Sequence, residues 1–420
     1  MIKFIENKLV PILIKIGENK ILVAVRNGIT LTLPFTISGS VFLILANLPI
    51  PGWSDFLGPF ADKLSAPVAV TFGAIGIISA IGISYNLAKQ YKLDAITCTA
   101  ITMVVFLLAQ LNQEYTLNVD NLGAAGLFSA IILSIITVHI IKFFISRNIV
   151  IKLPDGVPPA VSRSFASLVP AAVTITLIWF IRIILNFDIN SFFTWVLSPL
   201  VVGLGTLPGM LILIFLISVL WCCGIHGDNV LSGITSPIFL KYIAENTQAY
   251  LAHQPIPHIT ADGFYIVFMC LGGTGATLGL VISMLRSKSK LYKSVGELSL
   301  PSAIFCINEP VIFGFPVVFN PIMMIPFTIT PMILCTLTYG LMYFNIIGRP
   351  VLQIPWTMPP IFAAYFVTGG NIPAVIWSVC TIVISVVVFL PFFKMAEKKQ
   401  LEKEAAESEE SLEPVLNSEI

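Results

Sequence analysis

The sequence predicts an all-α polytopic membrane protein with about ten transmembrane helices and two re-entrant hairpins. Three observations carry this. The 420 residues are 56% hydrophobic and only 11% charged, whereas soluble domains carry about 25% charged residues. Mean hydropathy is +0.93. Lys and Arg also alternate between successive linkers, as they do in chains that cross a bilayer repeatedly.

The N-terminal stretch 1–27, opening "MIKFIENKLVPILIKIGENK", spreads its charges and repeats its apolar residues at helical spacing. It reads as an amphipathic helix on the membrane surface rather than a signal peptide. A bilayer core needs about 20 apolar residues per helix. Such runs lie near 28–48, 66–87, 94–111, 122–146, 167–186, 207–223, 263–285, 322–345 and 372–394. The stretches 224–245, 299–320 and 350–369 are apolar but broken by Pro, Gly and polar residues.

The linkers set the orientation. Lys3, Lys8, Lys15, Lys20 and Arg26 precede the first span. Lys89 and Lys92 follow the second, and Lys142, Arg147, Lys152 and Arg163 follow the fourth. The intervening linker "NQEYTLNVDN" (112–121) has no Lys or Arg. A cytoplasmic N-terminus is expected, and a cytoplasmic "RSKSKLYK" loop (286–293). Parity then asks for one net crossing within 224–245 and leaves 299–320 and 350–369 as re-entrant candidates.

The chain also divides by content. Residues 28–190 hold few ionisable groups and read as a scaffold half. Polar breaks gather in 200–394, the working half. The charged tail, 395–420, needs no fixed structure and is expected in the cytoplasm.

Several functions are excluded. Net charge is +1, so nothing suggests nucleic-acid binding. The seven cysteines stand in apolar segments with no metal-ligand spacing, which makes them small buried hydrophobes. "LGGTGATLGL" (271–280) gives GxGxxxG rather than a dinucleotide fingerprint, and small residues for close helix packing explain it better. No cofactor or metal is expected.

Irregular backbone at membrane depth must be buried in protein or line a wet cavity, so broken polar segments point to a substrate site. One is "WCCGIHGDNVL" (221–231), with His226, Asp228 and Asn229 among glycines. The other is "INEPVIFGFPVVFNP" (307–321), with Asn308 and Glu309. Glu309 is the only acidic residue between Glu297 and Glu397, and ionisable groups inside a membrane suggest function by default. Plainer roles compete: helix–helix hydrogen bonding for His226, ion pairing for Glu309, capping for Asp228 and Asn229. In "PWTMPP" (355–360), Trp356 offers a stacking ring or simply a loop residue. Imidazole, carboxylate, amides and an indole suit a neutral, hydroxyl-rich ligand, a sugar. No catalytic residue is assigned.

At these motifs the chain resembles the EIIC membrane permease of the bacterial sugar phosphotransferase system, in its lactose/cellobiose/diacetylchitobiose branch. The likeness also covers "AVRNGITLTLPFTISGSVFLILANLP" (24–49) and "IKLPDGVPPAVSRSF" (151–165). The resemblance implies a homodimer built on the N-terminal half and a sugar site in the C-terminal half. It implies that Glu309 holds the sugar near the hydroxyl to be phosphorylated, with His226 in the same pocket. It also implies phosphoryl transfer by separate EIIB and EIIA proteins. Asn308, Asp228 and Asn229 transfer less directly. Two other classes fit the residues alone: an ion-coupled secondary sugar transporter with Glu309 as proton site, and an intramembrane enzyme using Glu309 and His226 as acid and base.

Overall fold

The computed structural model describes residues 15, 18–46, 52–154, 156–315, 317–318 and 320–416. Most of the N-terminal surface helix expected over 1–27 lies outside them, as do Pro316 and the last four residues of the tail. The described residues form helices joined by turns and loops, and no strand. Among them, five helices are long and apolar enough to cross a membrane: Lys20–Leu43, Lys63–Gln90, Ala124–Ser146, Ile322–Tyr343 and Ile372–Ala405. Two shorter apolar helices are Ala95–Ala109 and Leu207–Cys222.

The expected single span at 167–186 is a bent element. Leu168–Ile184 and Ile189–Gly205 meet at 92°. Arg182 bridges the break: its guanidinium donates to the carbonyls of Leu111 and Phe187. Asn190 donates to Gln110 at 2.6 Å and accepts from Ser129. Backbone carbonyls freed at a bend need such donors where water is absent.

The chain forms two compact units. Unit 1 comprises residues 1–204, 228–261 and 351–353; unit 2 comprises 205–227, 262–350 and 354–420. In unit 1 the Lys20–Thr30 helix runs across residue 27 and buries Ala24, Val25, Gly28 and Ile29. It crosses Ile75–Gln90 at Gly28 and Gly82: a Cβ on Gly82 would stand 2.4 Å from the Gly28 carbonyl oxygen. Small residues at membrane helix crossings allow such approach. The region 224–245, expected as broken, is instead mostly one helix, Gly227–Leu251, and only the turn before it is irregular.

Unit 2 departs from expectation in two further places. The span expected at 263–285 is interrupted: Phe264–Phe268 and Leu278–Met284 are joined by a loop. The tail is helical, because Ile372–Leu416 runs on past the apolar stretch. Glu397 accepts from the Ser287 hydroxyl and the Lys288 N–H at 2.6 and 2.7 Å, and Glu404 accepts from Ser289 at 2.5 Å. These bonds tie the tail helix to the basic loop.

Candidate functional site

His226 is positioned by a helix end. Leu207–Cys222 closes with the Ile225 N–H donating to the Leu220 carbonyl and the Gly224 N–H to the Trp221 carbonyl, both at 2.9 Å. This is a Schellman motif, which needs a left-handed residue, and Gly224 supplies it with φ +77. Gly227 is required for a different reason: a Cβ there would stand 2.4 Å from the Ile217 carbonyl oxygen. Between the glycines, the exposed His226 ring rests on the buried Trp221 indole, centroids 4.3 Å apart.

Asn308 and Glu309 follow a second helix end of the same kind. Lys290–Ile304 closes with the Ile307 N–H donating to the Ser302 carbonyl at 3.0 Å, and here the left-handed residue is Cys306, φ +62. Glu309 opens the Glu309–Gly314 helix and is exposed. A carboxylate is favoured at a helix N-terminus.

Asn308 is buried, and its amide donates to the Thr274 carbonyl at 2.7 Å. Thr274 sits in the loop that interrupts the 263–285 span. Gly272, Gly273, Gly275 and even Ala276 all have positive φ there. A Cβ on Gly273 would lie 2.4 Å from Asn308 Cγ. Thr277 and Ser385 hydroxyls donate to the Gly272 and Ala276 carbonyls at 2.9 and 2.5 Å. The glycines of "LGGTGATLGL" therefore divide. Gly279 packs against the backbone of Ser385 and Val386, as close helix packing requires, but the others build a left-handed loop in which Gly273 meets Asn308.

Trp356 is joined to the same assembly. It is 53% exposed on the non-helical segment before Pro360. Two residues on, the Met358 carbonyl lies 3.8 Å from Cys306 Sγ. The turn carrying His226 meets the far end of the second segment: the Cβ position of Gly224 is 3.5 Å from Val318.

Asp228 and Asn229 lie at a helix start. They form the first turn of Gly227–Leu251 and belong to unit 1, whereas His226 belongs to unit 2. The Asn229 carbonyl accepts from Arg26 at 2.9 Å and from Ser232 at 3.0 Å. Sequence reasoning missed Thr274, Cys306 and Met358 as props of the Asn308–Glu309 turn. The signal was present in "GGTG", three glycines within four residues of an otherwise apolar run. No group of three or more His, Cys, Asp or Glu among the described residues could hold a metal.

Apolar spans with irregular, polar-bearing segments gathered in one unit define a multi-pass membrane transporter. Residues 26–331 match the family described as "Phosphotransferase system, EIIC", and the chain belongs to that family. Its members are the membrane permease components of the system, and phosphoryl transfer is carried by EIIB. The chain is 39% identical to the lichenan permease IIC component of Bacillus subtilis (strain 168), over 96% of this chain and 95% of that one. It is 36% identical to the cellobiose-specific EIIC component of Geobacillus stearothermophilus, over 97% and 96%. A crystal structure of ChbC, the IIC component of an N,N'-diacetylchitobiose-specific phosphotransferase system, superposes with TM-score 0.91 at 36% identity, covering 96% of this chain and 99% of that one.

Proposed function

We propose that this permease binds a β-linked disaccharide of the cellobiose or chitobiose kind and carries it inward, coupled to phosphorylation by a separate EIIB that EIIA recharges. One observation carries the site assignment: Glu309 is the lone carboxylate of a long apolar stretch and stands exposed beside a buried asparagine that fixes its turn. Glu309 accepts from sugar hydroxyls, and His226, on its indole floor, reaches the same ligand. Trp356 stacks on a pyranose ring. Asn308 acts by holding the turn, and Asp228 and Asn229 serve the helix start. The relatives named for lichenan, cellobiose and chitobiose support the β-glycoside class.

The finer architecture belongs to the same reading. About ten spans and two re-entrant hairpins cross a bacterial plasma membrane, with both termini cytoplasmic. Unit 1 serves as scaffold and homodimer contact, and unit 2 as the sugar-carrying body. Residue accessibility decides how to test orientation. Ser289 is a poor reporter because it is buried with its hydroxyl on Glu404; Leu291, 50% exposed, is a good one. A Leu291→Cys protein cleared of native cysteines should resist membrane-impermeant thiol reagents in intact cells. Labelling there would reverse the topology.

The transport test uses cells expressing the permease with its EIIA and EIIB. Labelled cellobiose or chitobiose should accumulate as the sugar phosphate and survive a protonophore. Abolition by the protonophore, with free sugar inside, would favour the ion-coupled alternative with Glu309 as proton site.

A further inference from the structure

Three helices of unit 1 converge on one tyrosine. Tyr91 follows Ile75–Gln90, and the Lys142 ammonium lies 3.8 Å from its ring centroid. Lys20, the first residue of Lys20–Thr30, places its ammonium 5.6 Å from the same centroid. The ring is fixed. His139 Nδ1 lies 2.7 Å from the Ile135 carbonyl oxygen, which can only accept, so Nδ1 carries the proton. In the neutral ring Nε2 is then the acceptor, and the Tyr91 hydroxyl donates to it at 3.1 Å.

Further cations edge the cluster. The Lys89 ammonium is 4.5 Å from the Tyr85 ring centroid, and the Arg147 guanidinium is 5.9 Å from that of Phe143. Both rings are exposed. A carboxylate would be the ordinary partner for such a group, but none among the described residues pairs with Lys20, Lys89, Lys142 or Arg147. Glu18, two residues before Lys20, forms no ion pair with it, and Asp94, five residues after Lys89, accepts from the Thr97 N–H and pairs with Arg163 at 3.6 Å.

Helix dipoles account for part of this. Lys89 and Arg147 stand at helix C-termini, where cations are favoured, whereas Lys142 lies before the last turn of Leu127–Ser146. Lys20 stands at a helix N-terminus, where cations are not favoured, and its chain leans onto the ring that Lys142 already occupies. One quadrupole attracts each ammonium but leaves their mutual repulsion in place. An anion between them removes it. The exposed aromatic rings beside these cations fit a bilayer interface, and basic clusters between transmembrane helix ends fit phosphate headgroups.

We propose that Lys20 and Lys142, spaced by Tyr91, form a binding site for the phosphate headgroup of an anionic membrane lipid. The two ammonium groups donate to the phosphodiester oxygens, and the acyl chains run down beside the exposed Phe143.

The test is native mass spectrometry of the purified full chain in detergent, titrated with phosphatidylglycerol or with phosphatidylcholine of the same acyl chains. The parent should prefer phosphatidylglycerol. The Lys20→Gln/Lys142→Gln variant should lose about tenfold or more of that affinity, and Lys20→Arg/Lys142→Arg should keep it. The single Lys20→Gln variant, altered only at an exposed side chain, should show an intermediate loss and guards against misfolding of the double. Equal affinity of parent and double variant for phosphatidylglycerol would overturn the proposal. So would displacement of the lipid by millimolar inorganic phosphate, which marks a free-phosphate pocket. Loss of phosphorylated EIIB binding with lipid binding intact would mark a protein-docking surface and equally overturn it.

Discussion

The turn at Cys223–Gly227 and the turn at Phe305–Glu309 follow one plan. Each ends a helix on a left-handed residue, Gly224 or Cys306, steps through one isoleucine, and sets a polar residue just before the next helix. They differ in what that polar residue does. His226 is exposed and rests on Trp221. Its counterpart, Asn308, is buried and donates to Thr274, and the exposed polar group is the next residue, Glu309. The first turn is shaped by Gly224 and Gly227. The second is propped by a loop, a cysteine and the segment bearing Trp356. A carboxylate aimed from a helix start with no ion-pair partner among the described residues gains from such a support.

Breaking the second turn's exposed group should have the largest effect. Glu309→Gln should leave the fold intact and cost about 1.5–3 kcal/mol of sugar binding, the value of a hydrogen bond to a charged group. Calorimetry on the purified variant checks it, and affinity within twofold of the parent would remove Glu309 from the site.

Next comes the close approach under the first turn. Gly227→Ala should lower thermal stability by roughly 1–3 kcal/mol, the range for overpacking, because its Cβ meets the Ile217 backbone 2.4 Å away. An unchanged melting temperature would show that the helix start moves freely.

The smallest effect sharpens the comparison of the left-handed residues. Gly224→Ala should cost about 1 kcal/mol, since a Cβ is disfavoured in that conformation. Cys306→Gly should change stability by less than about 1 kcal/mol, because relief of the same strain offsets the lost sulfur contacts. Equal losses at both positions would mean that the sulfur, not the backbone, holds the second turn.

Much of this was legible in the sequence, for physical reasons that can be named. Long apolar runs must be spans, and Gly224, Gly227 and Pro310 mark breaks that no span tolerates without a purpose. The interruption of 263–285 was hidden because glycine and threonine barely lower mean hydropathy, so "LGGTGATLGL" reads as small-residue packing until the backbone is seen. The burial of Asn308 depends on Thr274, far away in sequence, and no local pattern encodes that contact. The tail's composition of Lys, Glu and Ala suits a disordered segment or a helix equally. What makes it helical is its hydrogen bonding to residues 287–289.

The central claim is that the two turns serve one ligand. It is tested most directly by a double-mutant cycle on sugar affinity with His226→Gln and Glu309→Gln. Side chains that share a sugar should couple, with an interaction term of roughly 0.5–3 kcal/mol. Strict additivity would contradict a shared site and leave His226 as a packing partner of Trp221.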